Sequence, residues 1–160
     1  MSLSITIDTK EVSSFIRRWG DDAPKKIASA LLEAGRVVES DAKRFCPQSP
    51  TKSQSDNYAG LSKSKYYRGK DPGTLSRSIK ILNKSQIKLQ QRVEVGIPRN
   101  STANRYADYI HNRKHRDWFL LGPGSTSKGA HVDDKFLDRA LDANASDIQR
   151  LFERASEEPS

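Results

Sequence analysis

One long amphipathic segment, residues 22–45, constrains the fold of this chain more than any other stretch. Its apolar side chains recur every three to four positions, which is the spacing of one helix face. Asp21 or Asp22 is placed to cap the helix, Pro24 suits its first turn, and Pro47 ends it. The face consists of Ile27, Leu31, Ala34, Val38, Ala42 and Phe45. A face this broad needs a partner surface, which we expect to be a sheet, with a second subunit as the alternative.

Alternating apolar and polar residues predict the strands of that sheet. The first strand lies in residues 2–8. Two further strands, over residues 78–84 and 87–97, are expected to form an antiparallel hairpin that turns around Asn83–Gln86. A compact apolar cluster over residues 118–121 is predicted to be another strand.

Helical spacing recurs in three other places. A helix capped by Asp8 is predicted to end at Gly20, and a short helix is predicted over residues 105–112. A second long helix is expected to open at Asp133 or Asp134, whose side chains would cap it. This order predicts an α+β fold, with a small antiparallel sheet packed against a long N-terminal helix and a C-terminal helix. The predicted core includes Ile27, Leu31, Val38, Phe45, Val93, Val95, Phe136 and Leu137.

The length of 160 residues fits one domain, so residues 1–160 are expected to form a single unit. The apolar signal disappears over residues 47–73, which predicts a long, mobile basic loop, and residues 157–160 are expected to fray. No apolar run approaches the length of a membrane span, and the first residues do not have the pattern of a secretory leader.

The net charge of +8 is unevenly distributed. Residues 47–131 hold 16 basic and 5 acidic side chains, a net charge of +11, whereas residues 132–160 have a net charge of −4. A basic block of this kind indicates contact with nucleic acid or with an acidic protein surface. A solvated loop region explains it equally well.

Basic and aromatic side chains alternate inside the loop. Cations that hold phosphates beside rings that stack on bases are typical of single-strand binding, and the alternative is a flexible arm that orders on assembly. The residues that would face DNA or a neighbouring subunit are Lys63, Lys65, Tyr66, Tyr67, Arg68 and Lys70.

Little in the sequence indicates catalysis. His111 and His115 are four residues apart, as metal ligands on a helix can be, but cations surround them, and both are expected to be exposed. His131 lies alone before the last helix. Cys46 is expected to be half-buried at a helix end. No nucleophile elbow, phosphate-binding loop or dinucleotide-binding motif occurs, so we expect no enzyme, no cofactor and no metal.

Five short motifs, taken in order, resemble the tail-completion or head–tail joining proteins of long-tailed bacteriophages. They are an Ala-Lys…Pro stretch, a Gly-Thr-Leu…Ser-Ile turn, a strand ending in Val-Gly, a Tyr-Ala-x-Tyr element and a Phe-Leu-x-x-Ala helix start. In this chain they are Ala42, Lys43 and Pro47; Gly73, Thr74, Leu75, Ser78 and Ile79; Val95 and Gly96; Tyr106, Ala107 and Tyr109; and Phe136, Leu137 and Ala140. The chain departs from the family at His111–Asn112, where Glu-Gly is common, and at Asp134–Lys135, where a proline is common.

The resemblance implies a non-enzymatic structural protein of the phage virion, located at the neck or the top of the tail and assembled in the bacterial cytoplasm. The partners it implies are connector or tail-tube proteins and further copies of the chain in a ring, with a monomer in isolation left open. Non-specific contact with DNA is a further expectation. Candidate subunit contacts are Arg113, Lys114, Arg116, Trp118 and Phe119. The alternative function is a sequence-independent nucleic-acid-binding module that uses the basic central region.

Overall fold

The computed structural model of the chain describes residues 2–8, 22–48, 73–87, 90–112 and 134–156. Several predicted features lie outside these residues. They are the helix between Asp8 and Gly20, nearly all of the basic loop, the strand over 118–121 and the tail over 157–160.

Three antiparallel strands form the sheet within the described residues, in the order β1–β3–β2. Strand β1 spans Ser2–Asp8, β2 spans Lys80–Ile87 and β3 spans Gln90–Gly96. The central strand β3 pairs along its whole length with β1, from Ser2 opposite Gly96 to Asp8 opposite Gln90. The first strand of the chain is therefore joined to the hairpin, as a single antiparallel sheet requires.

The hairpin reverses later than the sequence predicts. Ile87 pairs with Gln90, so the predicted turn around Asn83–Gln86 is wrong, because those residues belong to β2. The register also shifts between Ile81 and Asn83, which lie opposite Val95 and Glu94. An extra residue in one strand changes which face the following side chains occupy, so the simple alternation fails at this point.

Helix α1 spans Ala23–Phe45, which confirms the predicted long helix. Asp22 occupies the N-cap position, as predicted, but its side chain makes no capping hydrogen bond. Its carboxylate instead accepts a hydrogen bond from Lys25 at 2.9 Å, and this bond lowers the pKa of Asp22. At the other end, Cys46 is extended before Pro47, as the restriction on a residue preceding proline demands.

Helix α1 supplies the centre of the core. The apolar face from Leu31 to Phe45 is buried, Ile27 is half-buried, and Ala30 and Gly35 are buried as well. One side of α1 packs on β3 and β2, and another side packs on the C-terminal helices. The same apolar cluster includes Val93, Val95, Phe136 and Leu137.

The other described helices are short. They are α2 at Thr74–Ser78, α3 at Asn104–Asn112, α4 at Phe136–Ala143 and α5 at Ala145–Ser156. Together with the antiparallel sheet they confirm the α+β class. In the described part of the chain, no helix is long and apolar enough to cross a membrane.

The predicted single C-terminal helix is wrong, because Asn144 separates α4 from α5. The Asn144 side-chain amide donates to Asp41 Oδ2 on α1 and to the Ala140 carbonyl, both at 2.8 Å. The Asn144 side chain thus gains a partner on α1, and α5 continues along α1 with half-buried Ile148 and Phe152.

Helix α4 also begins differently from the prediction. Its N-cap residue is Lys135, in the left-handed conformation with φ of 49°, so Asp133 or Asp134 does not open the helix. A left-handed lysine costs about 1 kcal/mol or more. The Lys135 N–H donates to the His111 carbonyl at 2.6 Å, which fixes this geometry.

Gly35 marks the closest approach of α1 to the sheet. A Cβ atom added there would lie 2.5 Å from Val93 Cγ1. We expect Gly35→Ala to destabilise the fold by about 1–3 kcal/mol, although alanine is the better helix former by about 1 kcal/mol. Chemical denaturation measures this change.

The exposed Ser40→Ala on the same helix is the control and should be neutral or slightly stabilising. Adding Val93→Ala should cost less in the Gly35→Ala background than in the wild type; additive effects would contradict the close contact.

Asn144 provides a second test of the packing. We expect Asn144→Ala to cost about 1–3 kcal/mol, because it removes a hydrogen bond to a carboxylate in a buried position, and Asn144→Asp to cost more, because it faces Asp41 with a like charge. Urea denaturation measures both variants. Asn112 donates to Asp108 at 3.0 Å on an exposed surface, so Asn112→Ala is the matched control and should change stability by less than about 0.5 kcal/mol. Equal losses at the two positions would contradict this account.

Candidate functional site

Three of the five motifs come together where α1 ends. We call this region the α1 junction: the last turn of α1 with residues 46–48, helix α2, the turn over residues 97–103 and the start of α3. The elements meet there because α1 ends at Phe45, before Pro47, while its final carbonyl groups still need partners.

Ser76 satisfies one of those carbonyl groups. Its hydroxyl on α2 donates to the Lys43 carbonyl at 3.0 Å, whereas the preceding Ala42 carbonyl accepts the Cys46 N–H at 2.9 Å. Lys43 and Arg44 place positive charge in the last turn, which favours the negative end of the helix dipole. Helix α2 is therefore joined to α1 through hydrogen bonding as well as apolar packing.

A chain of hydroxyl groups connects α2 to the turn before α3. Ser78 Oγ donates to the Thr74 carbonyl at 2.7 Å, and Ser101 Oγ lies 3.0 Å from Ser78 Oγ. Ser101 Oγ also accepts the Ala103 N–H at 3.2 Å. Ser78, the serine of the Gly-Thr-Leu…Ser-Ile motif, is thus hydrogen-bonded to the turn that precedes α3.

Gly73 is the first described residue after Gln48, and it lies at the α1 junction. It has a φ of 78°, which favours glycine, and it precedes α2 directly. A Cβ atom placed on Gly73 would be 3.6 Å from the Gln48 side-chain amide. The two ends of residues 49–72 therefore leave and re-enter the described body at one point.

The motif residues are mainly packing positions. Many are buried, and several are completely inaccessible, so they form part of the core rather than a chemical centre. The buried members include Ala42, Leu75, Ile79, Val95, Ala107, Phe136, Leu137 and Ala140. Tyr109 differs from these, because 56% of its surface is exposed on the outer side of α3.

Cys46 and Tyr106 form the polar part of the junction's interior. Cys46 is completely buried, so the expectation of a half-buried thiol is wrong. Its Sγ lies 3.6 Å from the Pro47 carbonyl. Burial raises the pKa of the Tyr106 phenol above 10.0, the neighbouring Cys46 raises it further, and Arg77 opposes both effects. The phenol is therefore held neutral.

His111 is buried, which contradicts the expectation that it would be exposed. Its exposed fraction is 5%, its Nε2 lies 3.2 Å from Asp138 Oδ2, and its ring meets the edge of Phe136 at 4.9 Å between centroids. Its Nδ1 is buried without a hydrogen-bond partner among the described residues. His111 thus links α3 to the start of α4 twice, through its side chain to Asp138 and through its carbonyl group to the Lys135 N–H.

Spacing within α3 could have revealed this burial. Ala103, Ala107 and His111 follow one another at four-residue steps, and all three are buried. The basic residues that follow His111 led to the prediction that it is exposed. The helical spacing, which indicates burial, was the better guide.

Groups of three histidine, cysteine, aspartate or glutamate side chains that could hold a metal do not occur in the described ranges. The predicted loop residues, from Lys63 to Lys70, and the candidate subunit contacts, from Arg113 to Phe119, lie outside those ranges.

No protein-family model, no curated protein and no solved structure matches this chain.

The raised pKa of Tyr106 predicts a loss of stability at alkaline pH. The folded state holds the phenolic proton more tightly than the unfolded chain, so this contribution is intact below about pH 10 and is lost as the pH rises through the folded pKa. We expect Tyr106→Phe to lose less stability than the wild type between about pH 8 and about pH 11, measured by urea denaturation. Tyr109→Phe, at an exposed position, should follow the wild-type profile. Identical profiles for all three proteins would contradict the prediction.

Proposed function

We propose that this chain is a non-enzymatic structural protein of a tailed-phage virion, acting at the neck in head–tail joining or tail completion. The proposal starts from the order of the five motifs along the chain. It names connector or tail-tube proteins and further copies of the chain in a ring as the partners, and the virion as the location.

One observation carries the proposal: the apolar members of the five motifs, which are scattered from Ala42 to Ala140, contribute to a single apolar cluster. Residues that jointly define a fold are expected to do so, because each stabilises the position of the others.

The arrangement of the described body also suits an assembly role. Gln48 lies beside Gly73, and the Lys135 N–H bonds the His111 carbonyl, so residues 49–72 and 113–133 both leave and return at closely held points. Both segments are basic by sequence and contain aromatic residues. A packed body that presents two such segments can engage a neighbouring subunit without rearranging its core.

Deleting the gene from the genome that encodes it tests the proposal. We expect separate heads and tails instead of joined particles in negative-stain electron micrographs, because the joint at the neck would be incomplete. A plasmid carrying the wild-type gene should restore joined, infectious particles. Normal particles from the deletion, or no particles from the parent genome under inducing conditions, would contradict the proposal.

Matched variants locate the contact within the chain. Neutralising Lys63, Lys65, Arg68 and Lys70 to glutamine should impair complementation at least tenfold in particle titre, if the loop engages a neighbour. The control neutralises four exposed cations on α1 and α5, namely Lys25, Arg36, Arg150 and Arg154, and should preserve complementation. Equal titres for the two variants would remove the loop from the proposed interface.

A further inference from the structure

Four exposed cations surround the outer side of the α1 junction. They are Arg77 on α2, Lys80 at the start of β2, Arg99 in the turn before α3 and Arg105 in the first turn of α3. We call this set the basic corner. Its members lie on four different structural elements. The tertiary fold therefore brings them together, rather than a continuous basic run in the sequence.

Short contacts bring these pieces together. Ser78 and Ser101 approach to 3.0 Å between their hydroxyl oxygens, and each lies within two residues of a member of the corner. Lys80 pairs with Gly96 across the sheet, three residues before Arg99. Arg99 itself lies inside a turn closed by the Ser101 N–H and the Pro98 carbonyl at 2.9 Å.

The first turn of α3 completes the corner. Ala103 is held by the Ser101 hydroxyl, and Arg105 follows it by two residues. The next residue, Tyr106, is close enough to Arg77 for the guanidinium to act on the pKa of its phenol. Arg77 therefore lies near Tyr106, the residue that follows Arg105 in α3.

The acidic side chains next to these elements have partners within the protein. Glu39 accepts hydrogen bonds from Lys43 and from the Ile81 N–H. Asp108 accepts one from Asn112, and Glu94 lies 3.6 Å from Arg92. Across the residues that the structure describes, no ion pair includes Lys80, Arg99 or Arg105. The positive charge of Lys80, Arg99 and Arg105 is thus exposed to solvent.

The corner lacks the apolar centre of a protein–protein interface. Arginine and tyrosine are common in such interfaces, but there they surround a buried apolar core. Tyr109 is the exposed large apolar side chain found in the described ranges, and it lies one helical turn after Arg105. A cluster of cations with one aromatic ring and the exposed Asn100 amide offers mainly hydrogen-bond donors to phosphate oxygens.

We infer that the basic corner binds the phosphate backbone of double-stranded nucleic acid without reading its sequence. Lys80, Arg99 and Arg105 supply the charge, and the packed serine contacts beneath them set their spacing. This inference does not depend on the proposed role in the virion, because it concerns only the chemistry of the ligand.

Salt-dependent binding by the full-length chain tests the inference. The probe is a fluorescently labelled 20-base-pair DNA duplex, prepared in two unrelated sequences, and anisotropy gives the Kd from about 25 to about 200 mM KCl. Both sequences should bind equally, and log Kd should depend linearly on log salt concentration, because each phosphate contact releases about one counterion. A wild-type protein that binds neither duplex at the lowest salt overturns the inference.

Charge-neutralising variants assign the contact. The triple variant Lys80→Gln, Arg99→Gln, Arg105→Gln should weaken binding at least tenfold at low salt and reduce the salt slope by about three. The control triple Arg36→Gln, Arg150→Gln, Arg154→Gln removes the same net charge at exposed positions on α1 and α5, and its slope should not change. Circular dichroism and unfolding midpoints confirm that both variants are folded.

Two results would overturn the assignment. The first is an equal loss in the two triples, which would attribute binding to net charge alone. The second is complete loss of binding when Lys63, Lys65, Arg68 and Lys70 are neutralised, combined with an unchanged slope in the corner triple. That pattern would place the whole contact in the loop.

Discussion

The packing of α1 against β3 is the constraint on which the rest of this fold depends. A bare glycine, Gly35, faces Val93 at the crossing point, and the small residues Ala30 and Ala34 are buried on the same helix. Small side chains let the helix lie close to the sheet, so larger neighbours such as Leu31 and Val38 are buried completely. Each such side chain stabilises the fold by about 1.5–3 kcal/mol relative to exposure.

Because α1 is central, both ends of the chain are organised by it. The sheet covers one side, and α4 and α5 cover another, with Asn144 bonded to Asp41 near the end of α1. The α1 junction exists because the same helix ends at Phe45, before Pro47, with carbonyl groups still to be satisfied. The hydroxyl of Ser76 meets that need, and the turn and α3 follow from it.

Periodic patterns in the sequence predicted the elements whose burial is regular. Helix α1, helix α3 and strand β3 each have one buried face, so hydrophobic spacing locates them. The errors fall where a single tertiary contact overrides local preference. Asn144 breaks a helix because Asp41 is within reach, and Lys135 adopts a left-handed conformation beside the His111 carbonyl. Neither residue type signals such a role from its neighbours alone, since the partner lies far away in sequence.

The candidate site was less predictable than the fold for a related reason. Composition places the positive charge in residues 47–131. Within that range, the cations interleaved with tyrosines in the loop, from Lys63 to Lys70, were the stronger signal for binding. The basic corner was not singled out, because its four cations are separated by ordinary strand and turn residues. The approach of Ser78 to Ser101 shows that the elements carrying Arg77 and Arg99 are adjacent in the fold.

The proposed assembly role and the proposed phosphate contact would reinforce each other physically. Three or four backbone contacts give weak binding at physiological salt, because every contact loses affinity as counterions compete. In a ring of identical subunits, each further copy binds the same duplex at a high effective concentration, so weak corners combine into strong, sequence-independent retention. A protein that holds DNA only when assembled needs a modest basic corner on each subunit and a rigid core beneath it. Those are the two properties that α1 and the serine contacts of the junction provide.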